Sequence, residues 1–245
     1  MPLQEEMEKQ GNFLFRYRGS LPLVLLVVAC IVFVNVAKTS VIPCWFPFVC
    51  FAISCLGLIT RIYTVGHTPK NTSGRNTKEQ IADEVNTTGI YSTVRHPLYV
   101  GNFFMWLGAG MLTYHFWFIL FFVAFYWIYY ERIMFAEEQF LRKKFGELYT
   151  SWAQNTPAFI PAFSKFIPPK YPFSMKKVLR KEVNGFMNVF IVFAIFDLIG
   201  FYILHNSFGI ENYFWVGGFA TCLVAYLIIK ILSKNTKLVS DASRV

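Results

Sequence analysis

The sequence predicts an all-α fold, a polytopic bundle of about six membrane-spanning helices with both termini on the cytoplasmic side. Three observations predict it. Of the 245 residues, 55% are hydrophobic and only 15% are charged, where a soluble domain carries about 25% charged residues. The apolar residues gather into runs close to the ~20 that a helix needs to cross ~30 Å of hydrocarbon. With both ends on one side, every one of the 23 lysines and arginines except Lys38 falls on that side, and the positive-inside rule makes that side the cytoplasm.

The elements follow in order. Residues 1–20 read as a polar, partly interfacial lead-in. Spans over Leu21–Ala37 and Val41–Thr60 form a first hairpin, with Pro43 and Pro47 in the first turns of the second span, where a missing N–H costs least. Residues 61–97 form a long cytoplasmic loop rich in Thr, Asn, Gly and charge; a connection of that length is functional or unstructured more often than a simple turn. Spans over Leu98–Tyr114 and Phe116–Met134 make a tight second hairpin, and residues 135–161 continue with a helical pattern. Residues 162–185 are basic and Pro-rich, and their Lys170–Glu182 portion is expected along the head groups. Spans over Phe186–Leu204 and Tyr213–Leu232 close the chain within a last unit, 186–245. Helices are the expected spanning form because lipid offers no partners to open backbone groups.

Composition also excludes function classes. The net charge of +9 flanks membrane spans, so anionic lipid rather than nucleic acid is its expected partner. The five cysteines, Cys30, Cys44, Cys50, Cys55 and Cys222, lie in predicted spans without metal-ligand spacing, and read as small apolar fillers; no metal is expected. Asn71-Thr72-Ser73 and Asn86-Thr87-Thr88 match the glycosylation pattern, but a cytoplasmic loop does not meet that machinery. The acidic N-terminus (Glu5, Glu6, Glu8) gives no sign of a cleavable signal.

Two segments carry chemistry. Thr88 to Gly101 places Tyr91, Arg95 and His96 at the mouth of the third span, with Pro97 in its first turn. Free N–H groups and a partial positive charge at that helix start suit a carboxylate or another electron-rich group; the bland alternative is Arg95 and His96 snorkelling to phosphates. In Glu131–Leu141, projection at 100° per residue puts Met134, Leu141, Phe145 and Leu148 on one apolar stripe, with Glu138 inside it and Glu137 on its margin. Carboxylates on an apolar face near a membrane are costly and tend to be functional; the alternative is a solvated Glu138–Arg142 pair. A compact turn between the two spans should bring Arg95-His96 and Glu137-Glu138 to one surface.

Gly89-Ile90-Tyr91 with Arg95-His96-Pro97-Leu98-Tyr99-Val100-Gly101, followed by Glu137-Glu138-Gln139-Phe140-Leu141, Phe145 to Tyr149 and a terminal Ile160-Pro161, resembles the isoprenylcysteine carboxyl methyltransferase and phospholipid methyltransferase superfamily. The resemblance covers about residues 55–161, and makes 61–161 the expected methyltransferase core. It implies an integral membrane enzyme that binds S-adenosylmethionine in a cytoplasm-facing pocket and methylates a lipid-like or isoprenylated acceptor at a carboxylate or head-group amine. A bacterial chain would sit in the inner membrane, and no obligate protein partner is evident. By position, the resemblance assigns Tyr91, Arg95, His96, Pro97, Tyr99, Gly101, Glu137 and Glu138 to the cofactor, with Arg132 and Glu138 at the reacting groups and Arg132 facing the acceptor. Gly108-Ala109-Gly110 reads as close helix packing. Membrane sterol or steroid reductases, which use NADPH, carry a similar His-Pro-x-Tyr-x-Gly segment; the paired glutamates favour the methyltransferase. A transporter or non-catalytic scaffold is the third reading, but apart from Asp197 the charges gather at the cytoplasmic rim.

Overall fold

A computed structural model describes residues 2–69 and 80–235, so the Asn71 sequon lies outside the described residues. The described residues form eight α-helices: α1 (Leu3–Tyr17), α2 (Leu21–Ala37), α3 (Phe46–His67), α4 (Pro97–Met111), α5 (Phe116–Phe145), α6 (Glu147–Asn155), α7 (Met175–His205) and α8 (Tyr213–Asn235). No strand occurs among them; one isolated bridge pairs Gly89 with Ile167. The all-α expectation holds.

Four or five candidate spans stand beside the expected six. Helices α3, α5, α7 and α8 are long and apolar enough to cross a membrane, and a fifth span results if α1 and α2 count as one broken span. Helix α4 has 15 residues, roughly 22 Å at 1.5 Å per residue, short of a ~30 Å core. Pro97 fixes its start, and a turn at Leu112–Tyr114, with Tyr114 in the left-handed region (φ 52°), fixes its end. Outward-facing Leu23, Val27, Ile31, Trp117, Phe121, Ile128, Val224 and Ile228 are all exposed, as lipid-facing side chains are.

Lipid tails are as apolar as the helix surfaces, so packing rather than water exclusion must join the helices. Helix α3 packs most extensively against α4. The contact is backbone to backbone: a Cβ on Gly57 would run into the Gly101 carbonyl and sit 2.6 Å from Met105 N, and one on Gly108 would sit 2.9 Å from Ser54 N. Ser54 Oγ donates to the Met105 carbonyl at 3.0 Å. Gly108 is thus a packing glycine, as its motif suggests. Phe51 meets Phe193, Phe214 and the buried Trp215 edge to face, interlocking α3, α7 and α8.

Two segments are more ordered than the sequence conveys. The lead-in is helix α1, laid on α5: Gly11 abuts the Arg132 carbonyl, and Tyr129 Oη donates to Leu14 O at 3.2 Å. The basic run expected at head groups joins the start of α7, where Lys177 and Glu182 turn inward. Lys177 Nζ donates to the Thr68 and Pro69 carbonyls and to Thr68 Oγ1, at 2.5, 2.7 and 2.9 Å. That ammonium caps the C-terminal end of α3, the negative pole of the helix dipole. Asp197, open in function from sequence, accepts the Glu211 and Asn212 backbone N–H groups at 3.0 and 3.2 Å and so braces the turn before α8.

Candidate functional site

The site is built at the α4–α5 hairpin. Ile90–Ser92 form a single 3₁₀ turn after Gly89, which adopts φ 63°, a conformation glycine takes without a Cβ penalty. The chain then runs beside the segment after α6: Arg95 N donates to Pro157 O at 2.9 Å, His96 N to Ala158 O at 3.2 Å, and Ala162 N to Thr93 O at 2.9 Å. Pro97 follows as the first residue of α4, leaving His96 as its N-cap. From the other side α5 runs unbroken for 30 residues until Gly146 (φ 55°) stops it. One rigid helix therefore carries both a membrane span and the twin glutamates.

The two clusters meet. His96 Nε2 lies 3.0 Å from Glu138 Oε1, and Arg95 Nε lies 3.2 Å from the same oxygen. His96 Nδ1 is 3.7 Å from Glu137 Oε2. With the proton on Nε2, His96 donates to Glu138 and turns its other nitrogen toward Glu137. Arg95 Nη1 also donates to the Ala153 carbonyl at 3.0 Å. Glu138 is therefore bound across the hairpin, not to Arg142 one helical turn away. The apolar stripe ends at Phe145; Leu148 belongs to α6 and is 65% exposed.

A cavity of about 420 Å³ opens beside this cluster. Tyr91, Arg95, His96, Pro97, Tyr99 and Glu137 line it. Three sequence-assigned residues do not. Glu138 stands behind His96 and Arg95. Gly101 faces α3, where a Cβ would sit 2.5 Å from Arg61 Cγ. Arg132 is absent from the lining, and its backbone carbonyl abuts Gly11 of α1. It precedes Glu137 by five residues, about 140° around the helix.

Several cavity groups escaped the sequence reading. Arg61 Nε and Nη2 donate to Glu182 Oε2 and Oε1, each at 2.8 Å, and Nη1 donates to Asn102 Oδ1 at 2.6 Å. The available signal was a lone arginine in an apolar helix and a lone acid in a basic run. Gln80 lines the wall from the loop before α4, and Tyr149 and Trp152 from α6. Tyr149 Oη, Trp152 Nε1 and Gln80 Oε1 are buried without a hydrogen-bond partner among the described residues. Unsatisfied buried polar atoms cost about 1–3 kcal/mol each, so these three ask for a ligand or water. Burial, then the neighbouring Glu138 charge, push the Tyr149 hydroxyl well above its ordinary range. Burial and Glu137 raise Tyr91, while Arg61 pulls it down. Both phenols stay protonated donors at neutral pH. The described residues contain no cluster of three or more His, Cys, Asp or Glu side chains suited to a metal.

The sequence model of the phospholipid methyltransferase family matches residues 44–148. Protein-S-isoprenylcysteine O-methyltransferase of Schizosaccharomyces pombe is 41% identical over 76 residues, 31% of this chain and 32% of that protein. The nickel-cobalt-cadmium resistance protein NccN of Alcaligenes xylosoxydans xylosoxydans is 35% identical over 94 residues, 38% of this chain and 41% of that protein. The cobalt-zinc-cadmium resistance protein CzcN of Cupriavidus metallidurans is 35% identical over 80 residues, covering 33% of this chain and 37% of that one. The chain thus spans well under half the length of these relatives. No solved structure matches.

Proposed function

We propose, from this similarity to the isoprenylcysteine carboxyl and phospholipid methyltransferase superfamily, that the chain is an integral membrane methyltransferase that uses S-adenosylmethionine. Its acceptor is lipid-like or isoprenylated and offers a carboxylate or a head-group amine, and its site opens to the cytoplasm. The observation that carries the reading is the meeting of Arg95-His96 with Glu137-Glu138 at a cavity of about 420 Å³, within the usual range for small-molecule sites.

The residues present fit the cofactor. It bears a zwitterionic amino acid end, a cationic sulfonium, and hydroxyl and ring-nitrogen acceptors; the cavity offers the Glu137 carboxylate for an ammonium and the unpartnered Tyr149 and Trp152 donors. Tyr91, Arg95, His96, Pro97, Tyr99 and Glu137 are the proposed holding residues, and Glu138 fixes the His96 ring and the Arg95 guanidinium. Gly101 serves by packing, and Arg132 has no cavity contact on which to base a role. When bound, the cofactor would supply an activated sulfonium methyl, its sulfur leaving as a neutral thioether. The chain then has to orient the acceptor, exclude water and hold charge still, which positioning of reactants can reward with about 7–11 kcal/mol of barrier. The aromatic faces of Tyr91 and Tyr99 suit a cationic centre, at about 0.5–2 kcal/mol.

The test is incubation of purified protein with methyl-labelled S-adenosylmethionine and a total membrane extract. A labelled lipid-soluble product is expected, and His96→Ala should abolish it. Absence of cofactor binding by calorimetry together with absence of label would sink the reading.

A further inference from the structure

The cavity has two storeys. His96 and Glu137 line one level, toward the ends of α4 and α5 away from their hairpin turn. Asn102 lies six residues further along α4, about 9 Å deeper at 1.5 Å per residue, and Tyr130 lies seven residues before Glu137 on α5, about 10 Å deeper. Arg61 and Glu182 occupy that deeper level, since Arg61 is hydrogen-bonded to Asn102, and all four line the cavity. A charge pair sunk toward a bilayer is costly and marks function by default.

The guanidinium is held but not exhausted. Arginine has five N–H donors. Three are spent, two on Glu182 and one on Asn102, and two remain. The Glu182 side chain is 2% exposed, whereas Arg61 keeps 19% of its own surface open. Its stem passes the bare Cα of Gly101, where any Cβ would sit 2.5 Å from Cγ. A carboxylate that fixes a guanidinium from behind, an amide from the side and a glycine under its stem together present a preorganised fork. Such forks match carboxylate and phosphate oxygens.

We propose that Arg61 is the acceptor-anchoring residue: its two remaining N–H groups bind an oxyanion of the methyl acceptor, and Glu182 is a positioning residue that acts through it. The oxyanion is either a carboxylate of an isoprenylated acid or the phosphate of a lipid head group. Glu182 belongs to α7, beyond the residues matched by the family, so the C-terminal hairpin completes the acceptor site. The proposal rests on the methyltransferase reading for what the bound molecule is, but not for whether it binds.

The experiment measures binding to the purified full chain in nonionic micelles with three probes: N-acetyl-S-farnesylcysteine, lysophosphatidylethanolamine, and dodecylamine, which has a tail but no oxyanion. S-adenosylmethionine is titrated separately. Arg61→Met alone strands a buried carboxylate, so the double variant Arg61→Met/Glu182→Met, which removes both charges, is the one compared. At least one oxyanion probe should bind the wild type more tightly than dodecylamine does, and the double variant should weaken it by about tenfold or more. Cofactor and dodecylamine affinities should stay within about twofold, a selectivity that a merely structural pair would not produce. Which oxyanion probe responds tells the two sources apart. A smaller loss, an equal loss for dodecylamine or the cofactor, or no preference for either oxyanion probe overturns the proposal. Failure of the wild type to bind S-adenosylmethionine, together with absence of label in the extract assay, overturns the methyltransferase reading instead, and leaves the oxyanion comparison to be read on its own.

Discussion

Arg95, His96 and Glu138 form a compact polar knot in which one carboxylate oxygen serves two cationic or donor groups. Hydrogen bonds to charged groups are worth about 1.5–3 kcal/mol. Glu138→Gln keeps the shape but removes the charge, so S-adenosylmethionine affinity should fall by about ten- to a hundredfold, measured by calorimetry. Glu138→Gln should also lower the thermal midpoint by a few degrees, because the half-buried Arg95 then stays beside a neutral amide. Tyr149→Phe deletes a hydroxyl that has no protein partner. It should leave stability unchanged or slightly higher while weakening cofactor binding about three- to tenfold, since only a ligand would use that donor. Equal cofactor affinity in Tyr149→Phe and wild type would exclude this hydroxyl from the site.

The helices turn these residues into a site. Glycine contacts let α3 and α4 touch backbone to backbone, and Gly57→Leu or Gly101→Val would wedge them apart. Overpacking of this kind costs about 1–3 kcal/mol, and should appear as a lowered midpoint in thermal unfolding. Much of this level was legible in the sequence. Apolar runs outlined the bundle, Pro97 marked the start of α4, and a short turn required Arg95-His96 and Glu137-Glu138 to meet. What was not legible has physical reasons. The pairing of Arg61 with Glu182 spans 121 positions, and no local period encodes a partner that far away. Lys177 reads as one more interfacial cation in a basic run, because its burial depends on the Thr68 and Pro69 carbonyls arriving from α3. Helix α4 was expected to span, since hydropathy reports apolarity and not where a turn will cut the helix short.

At the scale of the molecule, the positive-inside rule predicts the orientation, and α7 supplies part of the cavity wall through Lys181 and Glu182. Cysteines introduced at Gln10 and Ser164 should both react with a membrane-impermeant maleimide from the cytoplasmic side only; labelling of either from the opposite face would invert the topology. Helix α5 has a further consequence. It runs 30 residues, about 45 Å, without a break, and its far end is the floor on which the glutamates stand. Its uninterrupted apolar part is Phe116 to Tyr130, and an apolar stretch that does not match the hydrocarbon thickness adjusts by tilting or by deforming the bilayer around it. Its companion α4 is short and tied at Pro97 to the segment after α6, so the two respond unequally. Acyl-chain length thereby becomes a dial on the gap between imidazole and carboxylates, and turnover in vesicles should peak at one lipid thickness and decline in thinner or thicker bilayers.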